Sequence, residues 1–118
     1  MMSDFIVYII ANEPYGTIYI GVTNDLKRRI TEHKLGVADG FTKKYSLKLL
    51  VYFERFEYIE DAIAREKKLK HWNREWKVDL INKFNSSWRD LFYDMFVVDK
   101  EYEAWIKERS IDFAIGKN

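Results

Sequence analysis

Two β-rich runs near the start of the chain constrain its fold more than any other feature of the sequence. Phe5–Ile10 and Thr17–Val22 are rich in β-branched and aromatic residues, and the segment between them contains the only proline and a glycine. This arrangement predicts an antiparallel hairpin. If the turn closes directly between the two runs, Tyr8 lies opposite Tyr19, and opposed residues share one face of a sheet.

The rest of the chain alternates helical and extended patterns. Thr23 or Asn24 offers an N-cap for a first helix, and Gly36 suits the position after its end. A third β-rich run is apolar on both faces, which predicts a strand that is central or covered on both sides. The predicted elements are a helix over Asp25–Leu35, a strand over Leu49–Phe53, helices over Glu60–Lys70 and Trp76–Phe84, and a short last helix around Tyr102–Ile106. This order predicts an α+β domain with a small antiparallel three-stranded sheet flanked by helices, a ββαβα core and further C-terminal helices.

The size and composition of the chain exclude several classes of protein. With 118 residues, we expect one domain, in which residues 95–118 form a helical extension of the unit over 1–94. The absence of cysteine excludes a disulfide scaffold, a thiol nucleophile and a thiolate metal site. Residues 1–4 lack a basic leader, and no apolar run approaches the ~18 residues of a membrane span. We therefore expect a cytoplasmic monomer or weak dimer without membrane contact.

The basic residues are concentrated in the middle of the chain. The net charge is only +1, but residues 24–77 hold fourteen basic and nine acidic residues, whereas both flanking segments are net acidic. Bulk attraction to nucleic acid is therefore weak, and any phosphate contacts should come from the central segment.

Arg29 and His33 lie one turn apart on the inward side of the first predicted helix. Leu26 and Ile30 occur at helical spacing around them, so His33 shares their apolar face and Arg29 lies at its edge. The two side chains are able to meet a common ligand. A single histidine on an apolar face is, however, also typical of a hydrogen-bonded core residue, and the two tyrosines of the hairpin alone are ordinary cross-strand aromatics.

Glu66 interrupts the apolar stripe of a later helix. The predicted inward stripe consists of Ile59, Ala62, Ile63, Glu66 and Leu69. A buried carboxylate is costly unless a cation or several hydrogen-bond donors compensate it, so Glu66 should have a partner. An ion pair with a basic neighbour, or a rotated helix, would explain the position without any function.

These residues occur in a familiar order and spacing. Val7-Tyr8 is followed after ten residues by Tyr19-Ile20-Gly21, and Arg29 lies ten residues after Tyr19. His33 follows one turn later, and Arg65-Glu66-Lys67-Lys68 lies on the later helix. This set resembles the signature of the GIY-YIG nuclease family, especially its small stand-alone members, and the similarity covers about residues 5–91. The opening tripeptide is Ile6-Val7-Tyr8 instead of Gly-Ile-Tyr, and Val22 stands where some relatives have a lysine.

The resemblance implies a metal-dependent endonuclease that hydrolyses phosphodiester bonds in DNA, with RNA not excluded. Glu66 would hold one divalent cation, Mg²⁺ or Mn²⁺, and Arg29 would bind a phosphate oxygen through its planar fork. Tyr8 or Tyr19 would position and deprotonate water, directly or through His33, with Arg29, His33 and the metal acting as cations that lower the phenol pKa. Further substrate contacts are expected from Lys43, Tyr45 and Arg28.

The sequence is compatible with more than one substrate and with more than one function. A branched or single-stranded DNA that exposes its phosphate to a concave site would suit such a small nuclease, and a role in DNA repair would follow. The rival interpretation is a non-catalytic nucleic-acid-binding module that retains the fold. A third is an interaction protein that uses the aromatic residues beyond about position 92.

Overall fold

The computed structural model of the chain describes residues 4–38 and 40–96. Its elements are β1 (Phe5–Ala11), β2 (Ile18–Thr23), α1 (Leu26–Leu35), α2 (Phe41–Lys44), β3 (Leu49–Phe56), α3 (Ile59–His71), α4 (Arg74–Phe84) and α5 (Phe92–Met95). The three strands form one antiparallel sheet in the order β2-β1-β3. This confirms the predicted α+β fold class. None of the described helices is both long and apolar enough to cross a lipid bilayer.

Several elements differ from the sequence predictions. The one-turn helix α2 occupies a segment for which no helix was predicted, and β3 continues three residues beyond the predicted Phe53. The sequence predicted that β3 is either central or covered on both faces. It is an edge strand, but both of its faces are covered, since Leu50 packs in one core cluster and Val51 in the other. The predicted last helix around Tyr102–Ile106 lies outside the described residues.

The predicted register of the hairpin is wrong by two residues. Tyr8 pairs with Gly21, and Tyr19 pairs with Ile10. The reason is the turn: Asn12 N–H donates to the Thr17 carbonyl at 3.2 Å, and the Asn12 side-chain oxygen accepts from Thr17 N–H at 2.9 Å. Four residues therefore suffice to reverse the chain. Because the shift is an even number, both tyrosines remain on the same face of the sheet.

Gly21 makes room for the Tyr8 side chain. A Cβ atom at Gly21 would lie 2.5 Å from the Tyr8 hydroxyl oxygen and 2.6 Å from Cζ. Real Cβ atoms do not approach other atoms so closely, so the Tyr8 ring lies directly across the glycine of the neighbouring strand. The observed register thus explains why a glycine follows Tyr19-Ile20 at this position.

Helices cover both faces of the sheet and bury the central strand. β1 is buried from Ile6 to Ala11. One face carries the cluster of Ile6, Tyr8, Ile10, Leu26, Ile30, Leu47, Leu50, Leu91 and Phe92. The other carries Val7, Ile9, Ala11, Ile20, Val51, Tyr52, Ala62, Leu69, Ile81 and Trp88. Tyr8 therefore belongs to the α1 side of the sheet.

The ends of α1 and one buried ion pair fix its position. Asp25, and not Thr23 or Asn24 as predicted, is the N-cap, and its side chain accepts from Arg28 N–H; Gly36 ends the helix with a left-handed φ of 72°. Near its end, the Lys34 ammonium group donates to the Asp90 carboxylate. The other Asp90 oxygen accepts from the backbone N–H of Leu50 in β3 at 3.2 Å. This bridge joins α1 to the sheet.

The inward face of α3 is rotated relative to the predicted stripe. Ala62 and Leu69 are buried, but Ile59 and Ile63 are exposed. Arg65 contributes to this orientation, since its guanidinium forms a bidentate ion pair with Glu54 of β3, with N–O distances of 2.9 to 3.2 Å. The rotation leaves Glu66 half-buried at the edge of the helix face.

We expect Gly21→Ala to destabilise the fold by about 1–3 kcal/mol, because the added methyl group overlaps the Tyr8 ring and the packed core must shift. Urea denaturation measures the change in the free energy of unfolding. In a Tyr8→Val background the same substitution should cost much less, since the overlapping atoms are gone. An equal cost in both backgrounds would contradict the packing of Tyr8 across Gly21.

Candidate active site

Tyr8, Arg29 and His33 meet on the α1 side of the sheet. A hydrogen bond of 3.1 Å joins the Tyr8 hydroxyl oxygen to His33 Nε2, and Arg29 Nε–H donates to the same oxygen at 3.4 Å. The phenol comes from the central strand, whereas the other two side chains come from successive turns of α1. The one-turn spacing predicted from the sequence therefore brings a guanidinium and an imidazole to one phenol.

Thr42 lies on the far side of the imidazole and was not singled out by the sequence analysis. A hydrogen bond of 3.2 Å joins its hydroxyl oxygen to His33 Nδ1, and both residues are buried. His33 is thus held at both ring nitrogens, by Tyr8 and by Thr42. Thr42 lies in a helix of four residues, which is too short to give a periodic signal in the sequence.

Tyr19 and Glu66 approach this cluster from another side. The ring of Tyr19 lies 6.2 Å from the ring of His33, between centroids, and the Lys70 ammonium lies 5.7 Å from the Tyr19 centroid. Lys70 also forms an ion pair with Glu66, at 3.4 Å from Oε2. The negative charge of Glu66 acts on Tyr8 and contributes to raising the pKa of its phenol. All five predicted site residues therefore belong to one connected cluster.

The electrostatics of the cluster differ from the expectation that His33 is a cation. Burial, and secondarily the charge of Arg29, lower the pKa of His33 to about 4, so the imidazole is neutral at pH 7. Burial also raises the pKa of Tyr8, and the hydrogen bond and charge of Arg29 oppose that increase without cancelling it. In the protein alone, Tyr8 is a neutral phenol bonded to a neutral imidazole.

Glu66 has the surroundings of a carboxylate that is available to a ligand. Its side chain is 16% exposed, and Lys70, its partner at i+4, is 46% exposed. Within residues 4–38 and 40–96, no three histidine or acidic side chains converge as a preformed metal cage. A single carboxylate, with water and phosphate oxygens completing the shell, is a donor set that Mg²⁺ commonly uses. The residues present therefore fit a cation that binds together with its substrate.

The three predicted substrate contacts lie at the margin of the cluster. Arg28 is exposed and faces Asp25, with 3.9 Å between the charged groups. Tyr45 is exposed and packs against Phe41 in a tilted arrangement, with 4.7 Å between ring centroids. Lys43 lines a pocket of about 260 Å³ that reaches the back of His33. Arg28 shares a cavity of about 360 Å³ with Arg29, and Lys43 shares the pocket of about 260 Å³ with His33.

That pocket is strongly basic. Its lining consists of His33, Gly36, Thr42, Lys43, Lys44, Ser46 and Lys48. Burial and the nearby charge of Lys34 lower the pKa of Lys48, as expected where positive charges are close together. No carboxylate among the described residues forms an ion pair with Lys43, Lys44 or Lys48. We refer to this cavity as the lysine pocket.

We expect the burial of neutral His33 to make the fold sensitive to mild acid. Its pKa rises from about 4 in the folded state to about 6.5 on unfolding, so the unfolded state binds the extra proton and stability falls as pH decreases through this window. The loss is up to about 3 kcal/mol at pH 4. His33→Gln removes the titration, so its unfolding free energy should fall less between pH 7 and pH 4.5 in urea titrations. Identical pH dependence in both proteins would contradict the burial of a neutral imidazole.

Comparison with known proteins identifies relatives of this arrangement. The model of the GIY-YIG catalytic domain matches residues 4–85. A UPF0213 protein from Haloquadratum walsbyi is 33% identical over 79 residues, which cover 67% of this chain and 89% of that protein. A UPF0213 protein from Staphylococcus saprophyticus is 32% identical over 81 residues, covering 69% and 98%. The solution NMR structure of a UPF0213 protein from Bacillus halodurans is 32% identical, covers 67% of this chain and 83% of that one, and superposes with a TM-score of 0.43.

The family match includes every residue of the cluster, from Tyr8 on β1 to Glu66 on α3. The alignments of this chain with the two UPF0213 proteins cover 89% and 98% of the length of those proteins. With the fold, the order of the site residues and the match over residues 4–85 in agreement, the chain belongs to the GIY-YIG family.

Proposed function

We propose that this chain is a nuclease that hydrolyses phosphodiester bonds in DNA with the help of Mg²⁺ or Mn²⁺. Membership of the GIY-YIG family supports the general activity. The observation that carries the proposal is the contact of Tyr8 with both Arg29 and His33, at 3.4 and 3.1 Å, next to the charge of Glu66. Phosphodiester hydrolysis requires these elements: a route for the proton of water, a fixed positive charge and an acidic ligand.

Tyr8 is the better placed of the two tyrosines to act as the base. Its hydroxyl touches His33, whose neutral imidazole is able to accept a proton at Nε2 when Nδ1–H donates to Thr42. Water then gives its proton to the Tyr8 oxygen as the phenol passes its own proton to His33, and no free phenolate is needed. Tyr19, beside the His33 ring, would form the wall that positions the attacking water.

Arg29 supplies the fixed positive charge. Its guanidinium is oriented by Glu32, with 3.2 Å between the charged groups, and by the Tyr8 hydroxyl oxygen. A guanidinium held in this way presents N–H groups to a non-bridging phosphate oxygen and stabilises charge that develops during attack. Glu66 would hold the metal ion, which when bound supplies Lewis-acid stabilisation of the phosphate. For Glu66 to bind a metal ion, the ion pair between its Oε2 atom and Lys70 Nζ, at 3.4 Å, must break.

The lysine pocket would bind a phosphate that flanks the scissile bond. It places Lys43, Lys44 and Lys48 behind His33, in the basic central segment of the chain. The exposed side chains of Arg28 and Tyr45 would make outer contacts with the same strand. So few phosphate contacts predict weak binding, and each of them adds to the decrease of affinity with salt concentration.

We expect Glu66→Gln to reduce Mg²⁺-dependent cleavage of DNA to background, because the amide removes the anionic ligand while preserving the size of the side chain. Glu60→Gln is the matched control, since Glu60 is an exposed glutamate in the first turn of the same helix. Release of products from a labelled DNA, in Mg²⁺ and in Mn²⁺, measures the activity. Full cleavage by the Glu66 variant would refute the proposed role of this carboxylate.

Arg29→Lys should lower kcat by about 10²–10³-fold, because an ammonium group does not reproduce the paired N–H groups aimed at the phosphate. Arg55→Lys is the control for the exchange itself, as Arg55 is exposed and pairs with Asp4. Single-turnover cleavage with saturating enzyme separates this effect from weaker binding. Wild-type rates in the Arg29 variant would contradict the role assigned to the guanidinium.

A non-catalytic nucleic-acid-binding module is the second candidate, and the Lys70–Glu66 ion pair is the observation that favours it. In such a protein the pair would be a permanent feature of α3. This alternative predicts DNA binding that is unchanged by EDTA, together with no product in any divalent metal. Metal-dependent cleavage that is lost in Glu66→Gln decides against it.

A further inference from the structure

A groove next to the candidate active site has no part in the proposed hydrolysis of the phosphodiester bond. It has a volume of about 290 Å³ and lies along β2 beside Tyr19. Its lining consists of Ile18, Tyr19, Ile20, Phe41, Lys70 and Lys77. We call it the Tyr19–Phe41 groove. Tyr19, which lines the groove, also lies beside His33, so the groove borders the candidate active site.

The walls of the groove are aromatic and aliphatic, and they are accessible. Phe41 is 47% exposed, although a phenylalanine gains by burying its ring. Its neighbour Tyr45 is 41% exposed and contacts the Phe41 ring in a tilted arrangement, at 48° between the ring planes. β2 is an edge strand of the described sheet, and three of its residues line the groove.

Two lysines make the groove positively charged. Lys70 and Lys77 line it, and Lys77 Nζ donates to the Lys70 carbonyl at 3.2 Å, which holds the two lysines near each other. No acidic side chain lines the groove in the part of the chain that the structure describes. An apolar slot beside two lysines favours a flat, uncharged ring carried on an anionic chain.

We propose that the Tyr19–Phe41 groove binds one unpaired nucleobase of the substrate, next to the scissile phosphate, so that the preferred substrate contains an unpaired nucleotide there. This inference rests on the proposed nuclease function and extends it to the substrate class. A paired base in a duplex has its faces covered by its neighbours, whereas an unpaired base stacks on aromatic side chains while lysines contact its phosphates. The groove and the lysine pocket lie on two sides of α2, which suits a strand that passes over this helix.

Binding of oligonucleotides in EDTA to the Glu66→Gln protein tests the proposal without cleavage. The probes are a duplex with one unpaired nucleotide and the matching perfect duplex, each followed by fluorescence anisotropy at low salt. Phe41→Ala should weaken binding of the first probe by about 5- to 150-fold and of the perfect duplex by less than about 2-fold. Phe41→Trp should restore binding. Tyr58→Ala is the control, as Tyr58 is a 58% exposed aromatic residue outside the groove.

A second measurement uses an unaltered groove and so does not depend on the folding of the Phe41 variant. With 2-aminopurine at the unpaired position, stacking on an aromatic ring should quench the fluorescence when the protein binds. Equal effects of Phe41→Ala on both probes, no binding of either probe, or no quenching would overturn the inference. Cleavage of both probes at equal rates by the wild-type protein would also overturn it, while leaving the nuclease function standing.

Discussion

The packing of the Tyr8 side chain across Gly21 is the contact on which the rest of the site depends. It requires the observed strand register, because only that register places a residue without a side chain beneath the ring. It directs the hydroxyl away from the sheet centre, where His33 and Arg29 of α1 reach it from successive turns. The N-cap at Asp25 and the Lys34–Asp90 ion pair fix the two ends of α1, so that its His33 and Arg29 side chains lie within reach of the Tyr8 hydroxyl. A hairpin, a helix cap and a buried ion pair therefore act together to define one phenol–imidazole hydrogen bond.

The burial that creates this contact also determines its chemistry. Removing His33 from water lowers its pKa, and removing Tyr8 from water raises the pKa of its phenol. Both groups are consequently neutral near pH 7, and the positive charge of the site is restricted to Arg29 and the surrounding lysines. A proton relayed from water through the Tyr8 phenol would leave a positive charge on His33, and that charge is costly in a low-dielectric environment unless an anion lies nearby. The fixed positive charge remains available to the anionic phosphate.

The sequence predicted the members of the site better than their arrangement. Spacing along one helix was sufficient to pair Arg29 with His33, since helix geometry fixes what lies one turn apart. The register of Tyr8 was missed because the side chain of Asn12 closes the turn, and hydrophobic alternation is identical for registers that differ by two residues. Thr42 was missed because a helix of four residues is too short to produce a periodic pattern. The prediction that Ile63 points inward was wrong because α3 is oriented by the bidentate ion pair between Arg65 and Glu54. That pair joins two separate elements, so the periodicity of α3 alone does not reveal it.

The single turn of α2 links the two proposed binding surfaces to the cluster of Tyr8, Arg29 and His33. Successive residues of a helix point about 100° apart, so three neighbouring side chains of one turn face three directions. Here Thr42 faces inward to His33, Phe41 lines the groove along β2, and Lys43 lines the lysine pocket. A shift of this turn cannot change either pocket without also moving the hydroxyl that holds His33 Nδ1. The orientation of the imidazole and the shape of the surfaces on either side of it are therefore set by the same four residues, so the proposed base recognition and the proposed proton transfer depend on one helical turn.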